Sequence, residues 1–378
     1  MRLYETASVA AMLFCAALAT SASAATVSSA PFGKTAEGAD VDLFTMTNKN
    51  GISVSVTEWG GVVQSVMTPD RRGKLEDIVL GHDTVDNYFG RDKNPFFGGI
   101  IGRYANRIAK GKFSINGTEY TLNLNNGENT LHGGNAGFDQ QVWEGTTFEN
   151  SDGAGVIFTR TSADGEEGYP GNLSLRVTYT LTDDNALRID YFATTDKATV
   201  INLTNHSYWN LSGNAKRDVL GHELMIPASF ITPTDAGGIP GGDLMGVSGT
   251  PFDFTSPHII GERIDADHPQ IKIGIGYDHN WVLNDTSDNL KLAAVLSDPE
   301  SGRGLEIWST EPGIQFYTGN YLDGSITGKG GAVYGHRFGL CLEPQHHPDS
   351  PNHPDYPSAL LEPGQEYSET SIYQFSAK

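Results

Sequence analysis

Alternation of apolar and polar residues, interrupted by glycine-rich turns, constrains this chain more than any other feature. An alternating run ends at Ile115, Asn116-Gly117 follows, and a second run returns from Tyr120. Asn-Gly between alternating runs is the strongest short signal for a β-hairpin. A second hairpin is predicted for residues 173–191, with its turn at residues 182–185. No long stretch has helical periodicity, so we predict an all-β fold, a large antiparallel β-sandwich of two packed sheets.

The first 24 residues have the pattern of an export signal. Arg2 supplies a weak basic n-region. An apolar run extends from Val9 to Ala19, and Ala22-Ser23-Ala24 forms a small-residue cleavage site. The run is too short to span a membrane. We predict a signal peptide at residues 1–24, cleavage after Ala24, and one domain at residues 25–378. The alternative is a disordered or buried N-terminus. A cleaved chain would be periplasmic or secreted.

The net charge limits the classes of partner that this chain can bind, and the cysteine content limits its disulfide bonds. The formal net charge is −21, with 46 acidic and 25 basic residues. Such a surface repels nucleic acid and anionic lipid and disfavours phosphorylated substrates. We therefore expect no nucleic-acid partner and no membrane partner after signal removal. Cys341 is the only cysteine outside the predicted signal, which excludes a disulfide within one mature chain. It alternates with leucines and is predicted to be a small core residue.

The segment at residues 202–213 places His206 among small polar residues and two aromatics, Tyr208 and Trp209. Imidazole holds or releases a proton near neutral pH. Asn, Ser and Tyr can orient such a ring, and Tyr208 or Trp209 can offer a flat wall to a sugar. The alternative is a buried structural histidine that is satisfied by its neighbours.

Four further segments carry polar groups, each with a structural alternative. An arginine of residues 102–111 can bind a hydroxyl or a carboxylate, or form a surface ion pair. His132 precedes two glycines and either meets a ligand or occupies a tight turn. Asp278 can accept from two hydroxyls or close an Asx turn. Glu343 ends an apolar run before Pro344, which predicts a partly desolvated carboxylate at a sheet rim and hence a candidate base.

Neither a metal site nor a nucleophile motif is predicted. A cluster of possible ligands follows Glu343, at His346, His347, Asp349, His353 and Asp355. Its spacing matches no closed zinc pattern, and its prolines indicate an irregular surface loop. There is no G-x-S-x-G motif, no P-loop and no dinucleotide fingerprint, so acyl transfer, nucleotide hydrolysis and dinucleotide binding lose support.

In chain order, these segments resemble the aldose 1-epimerases, also called galactose mutarotases. The matching stretches cover essentially the whole predicted mature chain and are GRYANRIAKGKFSINGTEYTLNLNNGENTLHGG, ADGEEGYPGNLSLRVTYTL, NLTNHSYWNLSG, YDHNW, IQFYTGNYLDG and LCLEPQHHPDSPNHPDYPS. The resemblance implies a galactose mutarotase-like β-supersandwich and a cofactor-free enzyme. Such an enzyme interconverts the α and β anomers of free aldohexoses such as glucose and galactose. We expect a monomer or a homodimer.

The resemblance also assigns roles by position. Glu343 matches the catalytic base and His206 the catalytic acid. Substrate-binding positions are implied at Asn106, Arg107, His132, Tyr208, Asp278 and Gln315. The chain departs from many relatives at Pro344-Gln345, and His346-His347 extends the following loop, which puts the substrate rim there in doubt. A base and an acid suffice for anomer exchange, because the ring opens when the C1 hydroxyl loses a proton and the ring oxygen gains one.

Three other functions remain open on the residues alone. A glycoside hydrolase usually uses two carboxylates, whereas the best pair here is one Glu and one His. A hexose-6-phosphate epimerase needs a basic phosphate pocket, which an acidic chain does not indicate. A periplasmic sugar-binding module on the same sandwich would bind sugars without accelerating anomer exchange.

Overall fold

The computed structural model describes residues 24–378, and the predicted signal lies outside them except for Ala24. The largest sheet has nine antiparallel strands. In spatial order they are Glu144–Asn150, Gly153–Ser162, Leu173–Leu181, Ala186–Thr195, Tyr367–Ala377, Arg303–Ser309, Lys291–Ser297, Glu223–Met225 and His258–Ile259.

Two further sheets complete the main framework. The six-stranded sheet contains, in spatial order, Tyr208–Trp209, Leu340–Gln345, Gly313–Tyr317, Asp278–Leu283, Ala228–Thr232 and Met245–Gly246. The five-stranded sheet follows chain order with Thr26–Lys34, Asp40–Thr47, Ser53–Thr57, Val63–Pro69 and Leu75–Asp77. All strand pairs in these sheets are antiparallel.

Short two-stranded ribbons and helices connect the sheets. The ribbons pair Arg107–Ile108 with Thr130–Leu131, Ile100–Ile101 with Thr204–Asn205, Lys112–Ile115 with Thr118–Thr121, and Thr199–Val200 with Leu360–Leu361. One α-helix is described, Pro269–Gly274. The 3₁₀ turns are Val85–Tyr88, Ala109–Gly111, Phe138–Gln140, Glu166–Gly168, Ile260–Glu262, Lys329–Gly331 and Ser350–Asn352. Within residues 24–378, no helix is long and apolar enough to cross a membrane.

One hydrophobic cluster joins the three large sheets. It contains Val54 from the five-stranded sheet, Val177 and Tyr373 from the nine-stranded sheet, and Trp281 and Leu342 from the six-stranded sheet. Because side chains alternate across a strand, the opposite face of the six-stranded sheet is free to carry polar groups. That opposite face forms the floor of the candidate site.

Both predicted hairpins are confirmed. Lys112–Ile115 and Thr118–Thr121 meet at Asn116-Gly117, whose φ angles of 51° and 79° suit a tight two-residue turn. Leu173–Leu181 pairs with Ala186–Thr195 along its whole length. The predicted antiparallel sandwich is also confirmed.

Candidate active site

The eight residues predicted from the sequence for catalysis and substrate binding all line one cavity of about 370 Å³. They are Asn106, Arg107, His132, His206, Tyr208, Asp278, Gln315 and Glu343. They come from the six-stranded sheet, the Arg107–Ile108 ribbon and the loops beside them. The volume lies within the usual range for small-molecule pockets. We call this space the reactive cavity.

The six-stranded sheet presents the carboxylate and amide side chains of Asp278, Gln315 and Glu343 from three neighbouring strands. Glu343 lies opposite Gln315, and Gln315 lies opposite Asn280. Asp278 is two residues from Asn280, so it shares the same face. Leu342, on the other face, packs into the core. Strand register therefore brings together carboxylates and an amide that are far apart in sequence.

Glu343 lies inside its strand, and the prediction of a position at a sheet rim is wrong. The strand continues to Gln345, and Glu343 is only 2% exposed. The neighbouring strand Tyr208–Trp209 pairs with Leu340 and Cys341, upstream of Pro344. A proline is tolerated where one side of a strand has lost its partner. The carboxylate is consequently more desolvated than its sequence context suggested.

His206 sits between two short strands, in a loop held by Asn205. The Asn205 Oδ1 accepts from the amide and hydroxyl of Ser207 at 3.1 and 2.6 Å. The His206 amide donates to Gly99, and its carbonyl accepts from Gly98, at 3.0 and 2.9 Å. Gly98 has a φ of 67°, and an added Cβ would lie 2.4 Å from the Val63 carbonyl oxygen. Glycine there lets the segment that binds the His206 backbone pack closely against the strand that begins at Val63.

The His206 ring is stacked between two aromatic rings. Phe96 lies on one side at 5.5 Å between centroids and 16° between planes, and Tyr208 lies at 5.1 Å and 17°. This fixes the plane in which the imidazole nitrogens point. Tyr208 lines the cavity, and its role as a wall for a sugar stays a prediction. The same prediction is wrong for Trp209, which faces the core at 1% exposure and packs near Tyr373.

The two candidate proton-handling groups meet in the cavity. His206 Nε2 is 3.7 Å from Glu343 Oε2, and His206 Nδ1 is 3.4 Å from the thiol sulfur of Cys341. Glu343 Oε2 and Gln315 Oε1 are buried and accept no hydrogen bond from the protein. Buried polar atoms normally have partners. These two acceptors are therefore available to hydroxyl donors of a ligand. Cys341 is buried as predicted, and it also contacts the candidate acid.

Desolvation sets the protonation of this pair. Burial lowers the pKa of His206 to about 4. Burial also raises the pKa of Glu343 well above its usual value, the charge of Asp278 adds to the rise, and Arg107 opposes it. Both shifts favour neutral side chains. Between these pKa values the pair holds one proton, on Glu343, while His206 is neutral.

Two hydrogen bonds connect Asn106 and His132. The Asn106 amide donates to His132 Nδ1 at 3.0 Å, and the His132 amide donates to the Asn106 carbonyl at 2.9 Å. Both residues have positive φ, 63° and 50°, as does Phe96 beside them at 68°. Strained backbone of this kind is concentrated at functional sites. An accepting Nδ1 places the proton of the neutral ring on Nε2, so His132 is a hydrogen-bond donor.

This tautomer also bears on metal binding. One potential ligand atom from each of His132, His206 and Glu343 lies within 4.8 Å of the others. His132 Nδ1 already accepts a backbone hydrogen bond and its Nε2 carries the proton, so neither nitrogen suits a metal. Burial lowers the pKa of His132 well below its usual value, and His206 and Arg107 add to this. The group is better suited to donating a hydrogen bond than to holding an ion.

Charged and amide groups also line the cavity. Gln315 Nε2 donates to Asp278 Oδ1 at 2.7 Å. Arg107 donates to the amide oxygens of Asn126 and Asn106 at 3.3 and 3.4 Å. Burial raises the pKa of Asp278, while Arg107 and the Gln315 hydrogen bond lower it. Arg107 still has N–H groups that can donate to hydroxyl groups of a ligand, and Asp278 still has oxygen lone pairs that can accept from them.

The segment after Glu343 differs from its predicted form. It was expected to be a surface loop, yet His347 and Asp349 are buried. His346 Nδ1 pairs with Glu311 at 2.7 Å, and His347 Nδ1 contacts Asn280 Nδ2 at 3.1 Å. These histidines thus connect the loop to neighbouring elements. Sequence reasoning also missed six lining residues, namely Pro95, Phe96, Asn126, Leu131, Tyr317 and Tyr321.

Comparisons with known proteins identify the family of this chain. A sequence profile described as Aldose 1-epimerase matches residues 42–374. The galactose mutarotase of Mus musculus is 44% identical over 339 residues, covering 90% of this chain and 95% of that protein. The aldose 1-epimerase of Escherichia coli strain K12 is 41% identical over 344 residues, covering 90% and 97%. The crystal structure of galactose 1-epimerase from Lactobacillus acidophilus has a TM-score of 0.81 at 29% identity, covering 93% and 98%. The chain therefore belongs to the aldose 1-epimerase family.

Proposed function

We propose that this protein interconverts the α and β anomers of free aldohexoses such as glucose and galactose, with Glu343 as base and His206 as acid. One observation carries the proposal. The unpaired Glu343 Oε2 lies 3.7 Å from His206 Nε2 in a cavity whose other groups bind hydroxyls. Family membership supports the same reaction, which makes the protein a carbohydrate isomerase.

Ring opening needs one proton removed and one delivered. Glu343 as carboxylate takes the proton of the C1 hydroxyl, the C1–ring oxygen bond breaks, and C1 becomes an aldehyde. His206 as imidazolium gives its proton to the departing ring oxygen. Each positioned proton transfer contributes about 10²–10⁴ in rate. No covalent intermediate forms and no redox change occurs.

Reclosure reverses both transfers. Rotation about C1–C2 exposes the other face of the aldehyde. The hydroxyl group formed from the former ring oxygen then attacks that face. Neutral His206 accepts the hydroxyl proton, and protonated Glu343 returns a proton to the carbonyl oxygen. The state favoured by burial, with Glu343 protonated and His206 neutral, is the one that reclosure requires. The opening state contains the same number of protons, with one moved from Glu343 to His206.

The remaining residues orient the sugar and stabilise charge. His132 Nε2–H and the Arg107 guanidinium can stabilise charge on the ring oxygen. Asp278, Gln315 and Asn106 can hold ring hydroxyls, and Tyr208 supports the His206 ring. Hydrogen bonds aligned before reaction are the main source of such stabilisation. No metal or cofactor takes part in this proposed mechanism.

Polarimetry tests the proposal. Freshly dissolved α-D-glucose or α-D-galactose should relax faster with purified protein than in buffer. Glu343→Gln and His206→Ala should each remove most of that acceleration. Relaxation of either variant at the wild-type rate would show that the roles are wrong, and wild type equal to buffer would overturn the activity.

The alternatives are not favoured by family membership or by the site. A glycoside hydrolase would release reducing sugar from an oligosaccharide, and a binding module would bind glucose without changing its optical rotation. Both outcomes are measurable in the same preparations. In the reactive cavity the Glu343 carboxylate lies 3.7 Å from the His206 imidazole, whereas the second carboxylate, Asp278, accepts from Gln315, which suits anomer exchange better than glycoside cleavage.

We also propose that the protein is exported and cleaved after Ala24, leaving residues 25–378 as one catalytic domain. The first described strand begins at Thr26, immediately beyond the predicted signal. N-terminal sequencing of protein recovered from the periplasm or medium should give a start at Ala25. A mature chain that begins at Met1 would contradict export by this signal.

A further inference from the structure

We propose that Cys341 is a positioning residue that determines which ring nitrogen of His206 carries the proton. Its sulfur accepts the Nδ1–H of His206 and leaves Nε2 free to exchange a proton with the sugar. The thiol sulfur lies 3.4 Å from Nδ1, and Glu343 Oε2 lies 3.7 Å from Nε2. This role rests on the proposed acid–base function and adds a residue to it.

The strand that carries Glu343 also carries the thiol. Cys341 and Glu343 are two residues apart on that strand, so both side chains lie on the same face of the six-stranded sheet. Leu342 lies on the opposite face, in the core. Cys341 pairs with Tyr208, two residues after His206. One strand therefore presents a thiol to one nitrogen of the imidazole and a carboxyl group to the other.

Stacking does not decide which nitrogen carries the proton. Phe96 and Tyr208 lie against the His206 ring and fix its plane. A neutral imidazole holds its proton on Nδ1 or on Nε2, and the hydrogen-bond partner of each nitrogen selects between the two forms. Within residues 24–378, the side chain that contacts Nδ1 is Cys341. The tautomer of His206 is therefore set at this contact.

The thiol remains protonated, so it can either donate or accept. Burial raises the pKa of Cys341 well above its usual value. The charges of Glu343 and Asp278 add to the rise in that pKa, and a hydrogen bond with Tyr208 opposes it. A neutral thiol has one S–H donor and a sulfur that accepts weakly. When the S–H points away from the imidazole, the sulfur can accept from Nδ1.

The proton transfers of anomer exchange determine the direction of this hydrogen bond. Nε2 is the nitrogen beside Glu343, so it must give a proton during ring opening and accept one during reclosure. If Cys341 donated to Nδ1, the neutral ring would carry its proton on Nε2 and could not accept another there. When Nδ1–H donates to the sulfur, neither Nδ1 nor the thiol changes its protonation. Only Nε2 then gains and loses a proton.

A weak acceptor at Nδ1 also makes His206 a stronger acid. A carboxylate at that position would stabilise the imidazolium, whereas a neutral sulfur stabilises it little. Burial lowers the pKa of His206 to about 4. A hydrogen bond to its own backbone and the charge of Asp139 raise that pKa, and Arg91 lowers it. The titratable and charged groups around the ring are Cys341, Glu343, Tyr208, His132, Asp139 and Arg91.

The first test measures the pH dependence of kcat by polarimetry with α-D-glucose. A serine hydroxyl accepts hydrogen bonds better than a thiol sulfur, so Cys341→Ser should remain active and move the acid limb of the profile to higher pH. Cys341→Ala removes the acceptor and should lower kcat at least about tenfold, with KM within about twofold of wild type. Leu342→Met, on the opposite face of the strand, is the control and should leave the profile unchanged.

The second test reads the tautomer from imidazole nitrogen NMR spectra, with His206→Gln identifying the signals. Nδ1 of His206 should have the shift of a protonated nitrogen, and Nε2 that of an unprotonated one. The reverse pattern would overturn the role of Cys341 and leave the proposed function standing. An unchanged pH profile in Cys341→Ser would do the same, because a side chain that only fills space does not move it. No acceleration by wild type would overturn the role and the function together.

Discussion

Two buried glutamates illustrate how this fold uses the same side chain in opposite ways. Glu343 and Glu76 are each 2% exposed. Glu76 contacts Lys74, Lys216 and Arg303 at 2.6, 2.6 and 3.0 Å. Burial alone raises the pKa of Glu76, but hydrogen bonds from those three cations lower it to about 2. Burial and the nearby Asp278 raise the pKa of Glu343, and one of its oxygens has no partner.

The difference shows that burial does not identify a functional carboxylate. Glu76 is surrounded by cations and stays ionised, as a structural group does. Glu343 faces a cavity, another carboxylate and a neutral imidazole, so its protonated form is favoured and one of its oxygens is left without a hydrogen-bond partner. Unmatched groups in a cavity of suitable size are the signature of a reactive site. The following predictions test this contrast, from the largest expected effect to the smallest.

Glu343→Gln should lower kcat/KM for α-D-glucose by about 10²–10⁴, because it removes a positioned proton acceptor. The melting temperature should stay level or rise, since the amide relieves an unpaired, desolvated carboxyl group. Polarimetry and thermal unfolding measure the two effects. A stability loss that matched the activity loss would contradict the assignment of Glu343 as reactive rather than structural.

Glu76→Gln should show the reverse. Arg303 is 1% exposed, and removing its counter-charge should cost roughly 3 kcal/mol or more of unfolding free energy. Activity per folded molecule should stay unchanged. Denaturant unfolding gives the loss, and Glu119→Gln in the exposed pair with Lys112 is the control, expected to cost less than about 1 kcal/mol. Equal losses in the two variants would remove the contrast.

Acidification should affect the two regions in different pH windows. The pKa of His206 is about 4 in the fold and near 6.5 when unfolded, so the unfolded chain binds more protons between those values. The unfolding free energy should therefore fall as pH drops from 6.5 to 4, by up to roughly 3 kcal/mol from this residue. Glu76 contributes stability above pH 4.5, which is lost as pH falls toward 2.

His206→Gln should make the pH dependence of unfolding shallower between pH 6.5 and 4. Glu76→Gln should instead change the dependence below pH 4.5. Denaturant unfolding at a series of pH values measures both slopes. His336→Gln, at an exposed histidine, is the control and should leave the slope unchanged. An unchanged slope in His206→Gln would show that the ring is not buried in its neutral form.

Asp278→Asn should have the smallest effect on stability and a specific effect on catalysis. Loss of a hydroxyl acceptor should raise KM for glucose about tenfold. Loss of its charge should lower the pKa of Glu343 and move the alkaline limb of the pH–rate profile to lower pH. Asp288→Asn, at an exposed aspartate, is the control. A change in KM with no shift of the profile would exclude electrostatic coupling to Glu343.

Much of the fold and site follows from local sequence. Asn116-Gly117 predicts a hairpin because its conformation depends on only a few residues. The family motifs name eight residues that line one cavity. The motifs succeed because chains that share them in the same order share a fold. Trp209 and Glu343 show the limit of local reasoning. Pairing of Tyr208–Trp209 with the Leu340–Gln345 strand decides which aromatic faces the cavity, and such pairing is not visible in either segment alone.

By itself, the sequence determined the all-β class, the hairpins and the candidate residues of the site, because these depend on periodicity, turn chemistry and motif order. Only the tertiary structure decided the protonation of the candidate site residues and which side chains surround them. Phe96 stacks on His206, Glu343 lies deep within a sheet, and eight predicted residues line one cavity. These features depend on contacts between segments that are distant along the chain, as Phe96 is from His206. Desolvation, stacking and cavity shape are properties of that packing, so no local pattern contains them.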